Sequence, residues 1–291
     1  MEWYKILLII IVIIEATFLF LILPGNKRKA IKHDWLYENY IAHRGFFNNE
    51  LGVVENTKTA FLLAVEKKYN IETDISLTYD NEIVVYHDDN FKRLFNVDKK
   101  ISDMTLKEIK ALKYSNSTDD ILEFSEFLKL IDGKTGLLIE FKSQSKKRDI
   151  ILCEKAMEIL KDYKGNYAVQ SFHPVLVKYF KKKYPFIPRG QLYMKFNLKE
   201  EIKRNSGKGF KGCLGVFVKW MYNNKLTNCV SRPMFIDHRY QDIDFMAKLS
   251  HLFVPMIVFT VDDKDEFENI YSKVDNVIFE KLEIRKNGKS K

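Results

Sequence analysis

The spacing of short apolar runs limits what this chain can fold into more than any other feature. Nine runs rich in β-branched, aliphatic and aromatic residues fall at 40–45, 70–77, 82–87, 136–141, 167–172, 188–193, 234–238, 256–261 and 276–280. Most are separated by longer stretches with helical spacing, and a strand–helix–strand rhythm calls for a parallel sheet with its crossovers packed outside. Only residues 78–81 divide the second run from the third, too little chain for a crossover helix, so those two form a hairpin-like excursion. Eight runs then remain. In a chain of 291 residues, that count predicts an α/β fold of the TIM type, a closed (β/α)8 barrel of about 250 residues with a small insertion.

Local signals mark the helices between the runs. "NTKTAFLLAVEKKY" opens with Asn56 as its cap, Thr105 and Glu108 have capping-box spacing, and Pro174 suits a first helical turn. Residues 147–165 place Ile150, Cys153, Met157 and Leu160 on one stripe and close at Gly165. Residues 88–135 break the rhythm with short elements and polar turns, and read as an insertion on the barrel rim. Residues 208–225 mix Phe210, Leu214, Phe217, Val218 and Met221 with lysines; core packing is the plainer expectation, a position on a membrane surface the sharper one. Cys153, Cys213 and Cys229 are too scattered for a disulfide framework or a zinc site, and are expected as buried free thiols.

From Ile6 to Leu23 the chain is almost wholly apolar; as a helix this stretch extends about 27 Å, close to a bilayer core. Glu15, near its middle, must then be protonated or face a partner helix. The run stops at "LPGNKRK" without a small-x-small cleavage pattern, so it reads as an uncleaved single-pass anchor and not as a removed signal. Residues 1–32 are the anchor and its basic flank, and 33–291 the barrel. Lys27, Arg28, Lys29 and Lys32 outweigh Lys5, which by the positive-inside tendency puts the large domain on the cytoplasmic side. These first 32 residues carry +3 of the formal +9, and the rest is spread as lysine pairs, of the kind that solvate helix faces or attract anionic lipid and phosphate. Zinc-finger spacing and arginine-rich arms are lacking, so nucleic acid is not an expected partner. Nothing in the sequence sets an oligomeric state.

Ionisable residues gather at the downstream ends of the predicted strands. His43 and Arg44 end the first, Glu72 and Asp74 lie two apart on the second and so share a face, His87 ends the third, and Glu140 with Lys142 ends the fourth. In a barrel these ends meet at one mouth. A lone strand carboxylate is ordinarily solvated or salt-bridged, but three carboxylates and two histidines converging on one rim are costly without a cation. A hard divalent ion with oxygen ligands resolves that repulsion.

The motifs, in their order, carry a resemblance. "IAHRG", "ENTKTAF", "IETDISLTYDNEIVVYHDD", "ISDMTLKEI" and "LLIEFK" resemble the glycerophosphodiester phosphodiesterase family, from about Tyr40 to Glu280 and more weakly after residue 195. "RGQL" at 189–192 and "SRPMFI" at 231–236 are similar to a membrane-anchored bacterial branch of it. The resemblance implies that Glu72, Asp74 and Glu140 bind one divalent metal ion, Mg2+ or Ca2+, with Glu55 close to it. It implies that His43 and His87 are the acid–base pair and that Arg44 and Lys142 hold the phosphate. The expected reaction is hydrolysis of a glycerophosphodiester to glycerol 3-phosphate and an alcohol, with water or a substrate hydroxyl as nucleophile. Two further readings are a phospholipase D-like barrel acting on lysophospholipid or phospholipid, and a non-catalytic membrane-bound binding module. The chain departs from the family pattern at Val54, where Pro is usual, at Thr73, and at Phe279-Glu280 in place of Thr-Asp. His173 and His238 are lesser candidates for the mouth. His33 is expected at the juxtamembrane surface and His251 in the core or at the surface, while for Tyr193 and Trp220 packing is the plainer expectation and contact with substrate the sharper one.

Overall fold

The computed structural model describes residues 2–25 and 34–284. Eleven strands follow in chain order: β1 (Ile41–Ala42), β2 (Asn70–Leu77), β3 (Ile83–Val85), β4 (Asn90–Phe91), β5 (Val97–Lys100), β6 (Leu137–Phe141), β7 (Tyr167–Ser171), β8 (Arg189–Tyr193), β9 (Phe235–Arg239), β10 (Met256–Val261) and β11 (Asn276–Phe279). β1 pairs in parallel with both β2 and β11, and this double partnership closes a ring of eight parallel strands, β1-β2-β6-β7-β8-β9-β10-β11. β3 lies antiparallel to β2 outside the ring, and β4 and β5 form a separate two-stranded sheet. The expected barrel and its hairpin excursion are both present.

Alternation along the strands sorts side chains between two cores. Ile71, Ile75, Leu77, Leu137, Ile139 and Phe141 join the outer core under the helices. Leu138, Ala168, Phe235, Ile257 and Ile278 fill the inside of the barrel, where Leu36 and Trp35 of the short helix Trp35–Glu38 meet them. Asn70 and Asn276, at the starts of β2 and β11, donate to the carbonyls of Trp35, Leu36 and Asn39. Without these donors the base would bury unpaired carbonyls. Gly190 makes room inside the ring: a Cβ there would lie 2.1 Å from the Phe235 ring.

Helix Phe124–Ile131 buries Phe124, Phe127, Leu128 and Ile131, one face at helical spacing, and brings Phe127 to 4.5 Å from Phe61 between ring centroids. The capping box at Thr105 and Glu108 forms, and Pro174 begins its helix. Other local expectations shift. The helix Lys58–Glu66 has Thr57 at its cap, because Asn56 adopts a left-handed φ of 56° and turns its side chain elsewhere. The helix Lys146–Leu160 ends before Gly165, and its buried face runs through Leu152, Cys153, Ala156, Met157 and Leu160, leaving Ile150 exposed. Residues 83–121 supply most of a satellite core around Tyr86, Phe91, Ile101, Ile109 and Tyr114. The core-packing expectation for 208–225 fails: helix Gly209–Asn223 buries only Gly212, Tyr222 and Asn223. Cys153 is buried as expected, whereas Cys213 is exposed and Cys229 half-buried.

The N-terminal helix, Trp3–Ile22, is 20 residues long, apolar enough to cross a membrane, and exposed up to Phe20, with Leu21 half-buried and Ile22 buried. Its end is held by the domain: Asn228 Nδ2 donates to Ile22 O at 2.7 Å, Arg232 Nη1 donates to Leu23 O, and Gly25 N donates to Pro233 O at 2.6 Å. Lys27, Arg28, Lys29, Lys32 and His33, on which the sidedness and the boundary at 32 were read, lie outside the described residues.

Truncating the outer core tests this packing. Phe61→Ala is expected to cost about 3–5 kcal/mol, measured as a lowered midpoint of equilibrium denaturation; an unchanged midpoint contradicts the Phe61–Phe127 contact as a core element.

Candidate active site

At the downstream end of the ring the inward positions turn from apolar to ionic. On β2 the step is from Asn70 at the base to Glu72 and Asp74, both fully buried, and the register sets Asp74 beside Glu140 of β6. One oxygen from each of Glu72, Asp74 and Glu140 lies within 4.8 Å of the others. Lys142, two residues beyond Glu140 and therefore on the same face, places Nζ 2.9 Å from Asp74 Oδ1 and 2.7 Å from Glu140 Oε1.

The other groups arrive on loops whose backbone conformation explains the motifs. His43 continues the β1 ladder, its N–H donating to Phe279 O. Arg44 and Gly45 then take positive φ values of 53° and 81°, a turn that aims the Arg44 N–H at Glu72 Oε2, 3.2 Å away. Gly45 is required there: a Cβ would meet the Ala60 backbone at 2.8 Å. The Arg44 guanidinium bonds Glu55 Oε1 at 2.5 Å and approaches Asp74 Oδ2 at 3.5 Å. Asn56 answers the turn from the next loop, donating its N–H to Arg44 O and its Nδ2 to Asp74 Oδ2, while Thr73 Oγ1 donates to Asn56 Oδ1. His87 returns to the mouth because β3 runs back along β2, with Tyr86 N donating to Asp74 O.

Each histidine has a carboxylate on Nδ1. His43 Nδ1 is 2.5 Å from Glu280 Oε1, and His87 Nδ1 is 2.7 Å from Asp88 Oδ1. Arg93 links Asp88 to Glu55, so that Glu55 is gripped by Arg44, Arg93 and Asn49 together. Sequence reasoning missed Asn56, Asp88, Arg93 and Glu280 as participants. Glu280 was visible only as a departure from a family pattern, and nothing in the spacing of Arg93 signalled a partner in Glu55.

Electrostatics follow from burial and company. Burial, then Asp74 and Glu140, push the Glu72 carboxyl well above the usual range. Burial alone would raise Asp74 too, but Lys142, His87 and Arg44 hold it well below. Glu140 is raised by burial, against the pull of Lys142. Burial opposes ionisation of Glu55, yet the Arg93 and Arg44 guanidinia hold it down at about 2. His43 is lowered, by burial first and then by Arg44, against the pull of Glu280. Asp237 is fully buried on β9, its carboxyl pushed well up by burial and then by Glu140.

A cavity of about 300 Å³ is lined by His43, Arg44, Glu72, His87 and Glu140, with Gln170, Leu192, Met194 and Phe259 on its far side. A second depression shares His87 and Glu140 with it and continues past Lys142 and His173 to Phe196. The predicted residues therefore converge, His173 with them, while Glu55 stands behind Arg44. His238 stacks on Tyr193 away from the mouth, His251 pairs with Asp275, and the Tyr193 hydroxyl bonds Asn228.

The model of the glycerophosphoryl diester phosphodiesterase family matches residues 43–234, more than half of the chain. The chain belongs to this family. A Bacillus subtilis relative assigned to the glycerophosphodiester phosphodiesterases, YhdW, is 34% identical over 242 residues, 72% of this chain and 96% of its own length. A crystal structure of a glycerophosphodiester phosphodiesterase from Parabacteroides distasonis superposes with a TM-score of 0.63 at 23% identity, covering 83% of this chain and 92% of that one. An Oleispira antarctica phosphodiesterase in complex with the product sn-glycerol-3-phosphate has the same TM-score at 19% identity, covering 82% and 91%. At these identities the two structures show the shared barrel.

The residues present fit a divalent cation. Oxygens on opposite sides of one ion at about 2.3–2.6 Å lie about 5 Å apart, which matches the span of the Glu72, Asp74 and Glu140 oxygens. Six carboxylates, those of Glu55, Glu72, Asp74, Asp88, Glu140 and Glu280, face four permanent cations, Arg44, Arg93, Lys142 and Arg239. That excess would repel an anion unless a cation joined it. In chelator, Glu72→Gln should melt no lower than the wild type, because Gln mimics the neutral acid that burial favours. Saturating Mg2+ or Ca2+ should stabilise the wild type by about 2.7 kcal/mol at a hundredfold excess over Kd, and shift Glu72→Gln far less. Equal shifts in differential scanning fluorimetry would remove Glu72 from the cation site.

Proposed function

We propose that this chain is a membrane-anchored, divalent-metal-dependent phosphodiesterase that hydrolyses glycerophosphodiesters to glycerol 3-phosphate and an alcohol. The observation that carries the reading is the pair of imidazoles at one mouth, each tied through Nδ1 to a carboxylate and both lining the cavity onto which Glu72 and Glu140 of the acidic trio open. A carboxylate on Nδ1 keeps the proton on that nitrogen and leaves Nε2 as the working atom. The glycerol 3-phosphate bound by the Oleispira protein supports the product class.

A phosphodiester is an unreactive monoanion. Its hydrolysis needs charge offset on the non-bridging oxygens and a proton delivered to the leaving alkoxide. Glu72, Asp74 and Glu140 would hold the divalent ion, which when bound supplies Lewis-acid stabilisation of phosphoryl charge. Arg44 and Lys142 add fixed donors beside it, and Glu55 holds the Arg44 fork in place from behind. Burial and Arg44 favour neutral His43, the form that accepts a proton from the attacking hydroxyl, and His87 on the same cavity donates to the leaving oxygen. The apolar helix Trp3–Ile22 anchors the chain, and the basic flank at Lys27 to Lys32 favours a cytoplasmic barrel.

His43→Ala and His87→Ala should each lower turnover of glycerophosphocholine by about three orders of magnitude with an unchanged circular dichroism spectrum. Glu280→Gln should cost about tenfold to a hundredfold in kcat with little change in KM, as expected of a group acting through His43. Chelator should silence the wild type, and Mg2+ or Ca2+ restore it. Near-native turnover in either alanine variant defeats the assignment.

A further inference from the structure

The hairpin made by helices Leu198–Asn205 and Gly209–Asn223 takes no part in the chemistry above, yet it presents the largest apolar surface on the described barrel domain. Phe210 is 82% exposed, Ile202 58% and Phe217 52%, with Leu214, Val218 and Trp220 beside them. Ile202, Phe217 and Trp220 also line a groove of about 840 Å³ between the two helices. We infer that this hairpin lies in the headgroup layer of the bilayer and sets the catalytic mouth against the lipid surface, so that the enzyme also draws an acylated glycerophosphodiester, a lysophospholipid, from the membrane and splits it into an acylglycerol 3-phosphate and the headgroup alcohol. The inference rests on the anchor and the activity proposed above, and names the source of the substrate.

Three observations point to lipid and not to protein. The first is charge. Between residues 198 and 223 six basic residues, Lys199, Lys203, Arg204, Lys208, Lys211 and Lys219, stand against Glu200 and Glu201. Lysine is depleted from protein interfaces but common on the polar face of helices that lie in a membrane surface. Helix Gly209–Asn223 has 15 residues, too few to span a bilayer, which takes about 20.

The second is the path of the anchor. Its contacts with the domain run in parallel, Ile22 with Asn228, Leu23 with Arg232 and Gly25 with Pro233. Residues 223–233 descend the outside of the barrel from the mouth, where Asn223 bonds Phe196 N and O, to the base, where Pro233 precedes β9. The end of the anchor packs along this segment, and Arg232, which holds Leu23 O, also lies 4.5 Å over the Phe20 ring. With its last turn pinned at Asn228, five residues beyond the end of the hairpin at Asn223, the anchor keeps its apolar span on the flank from which the hairpin projects.

The third is continuity with the site. Met194 lines the catalytic cavity and Phe196 closes the depression next to it, and these residues lead directly into the hairpin. Lys219, in the second helix, lies 5.0 Å over the Phe196 ring. The segment that forms one wall of the mouth thus runs directly into the element seated in the headgroups.

The test uses the full chain in phosphatidylcholine–phosphatidylglycerol vesicles. A nitroxide at Phe217→Cys, in a Cys213→Ser, Cys229→Ser background, should collide at least threefold more with dissolved oxygen than with a water-soluble nickel chelate, relative to a label at Leu252→Cys near the base. Equal ratios at the two positions overturn the inference. So does a label hidden from both reagents and broadened by a second spin, which assigns the face to a second copy of the chain. In the same vesicles Phe210→Glu with Phe217→Glu should slow hydrolysis of lysophosphatidylcholine about tenfold while leaving glycerophosphocholine turnover unchanged; equal losses on both overturn it. A wild type inactive on glycerophosphocholine would instead defeat the catalytic reading, and the oxygen-to-chelate ratio would still decide where the hairpin lies.

Discussion

Three carboxylates crowded into the closed end of a barrel set the terms for everything around them. Glu72, Asp74 and Glu140 are at most 6% exposed, so water cannot screen them and each raises the cost of ionising the next. The chain offsets this with Lys142, placed by strand alternation on the same face, and with Arg44, whose left-handed turn supplies a backbone N–H and a guanidinium at once. Lys142 serves the trio alone, but Arg44 does not. Arg44 is shared with Glu55, and Glu55 is shared with Arg93 and, through it, with Asp88. The ladder fixes positions more than it neutralises charge, and the remaining negative field is what a divalent ion would meet.

Fixing positions has a chemical consequence. Each imidazole is oriented by a carboxylate that is itself restrained: Asp88 by Arg93, and Glu280 by the end of β11, where its N–H donates to Val261 O. A histidine free to rotate would spend most of its time with Nε2 away from the reacting atoms, and small misplacements of such groups are costly in rate. The departure from Thr-Asp to Phe279-Glu280 acquires a meaning here. A carboxylate at the end of the last strand reaches His43 across the ring closure, a contact between the first and last strands that also reports that the barrel has closed.

The barrel itself was legible from the sequence because its rule is periodic. Strands buried on both faces read as apolar runs, and the missing crossover between 77 and 82 could be counted directly. The acidic trio was legible for the same reason: Glu72 and Asp74 at i and i+2 share a face wherever the strand begins. What escaped depended on loops. Asn56 looks like a cap by composition, but its positive φ turns it toward Asp74, and a side chain's choice between capping and reaching cannot be read from neighbours alone. Arg93 is brought to Glu55 by the fold of an insertion with its own small core, a pairing 38 residues apart that no local pattern encodes. The exposed helix Gly209–Asn223 was misjudged as core because apolar content fixes what a helix must bury against, not whether the partner is protein or lipid.

The two ends of the barrel divide the work of stability and reaction. At the base, Trp35 and Leu36 meet the apolar layer, and Asn70 and Asn276 bond the plug's carbonyls, so the ring is sealed where nothing needs to enter. At the mouth, inward positions that would be filled by leucine or isoleucine carry Glu72, Asp74, Glu140, Gln170 and Asp237 instead, a loss of hydrophobic burial that the sealed base offsets. The anchor respects the same division. It grips residues 228–233 along the outer wall and, among its described residues, contributes only Ile22 and Pro24 to the buried interior, so the ring does not depend on it for packing. A barrel with a sealed base and an ionic mouth can therefore keep the strand register that aligns Asp74 with Glu140 independent of the apolar helix packed against its outer wall.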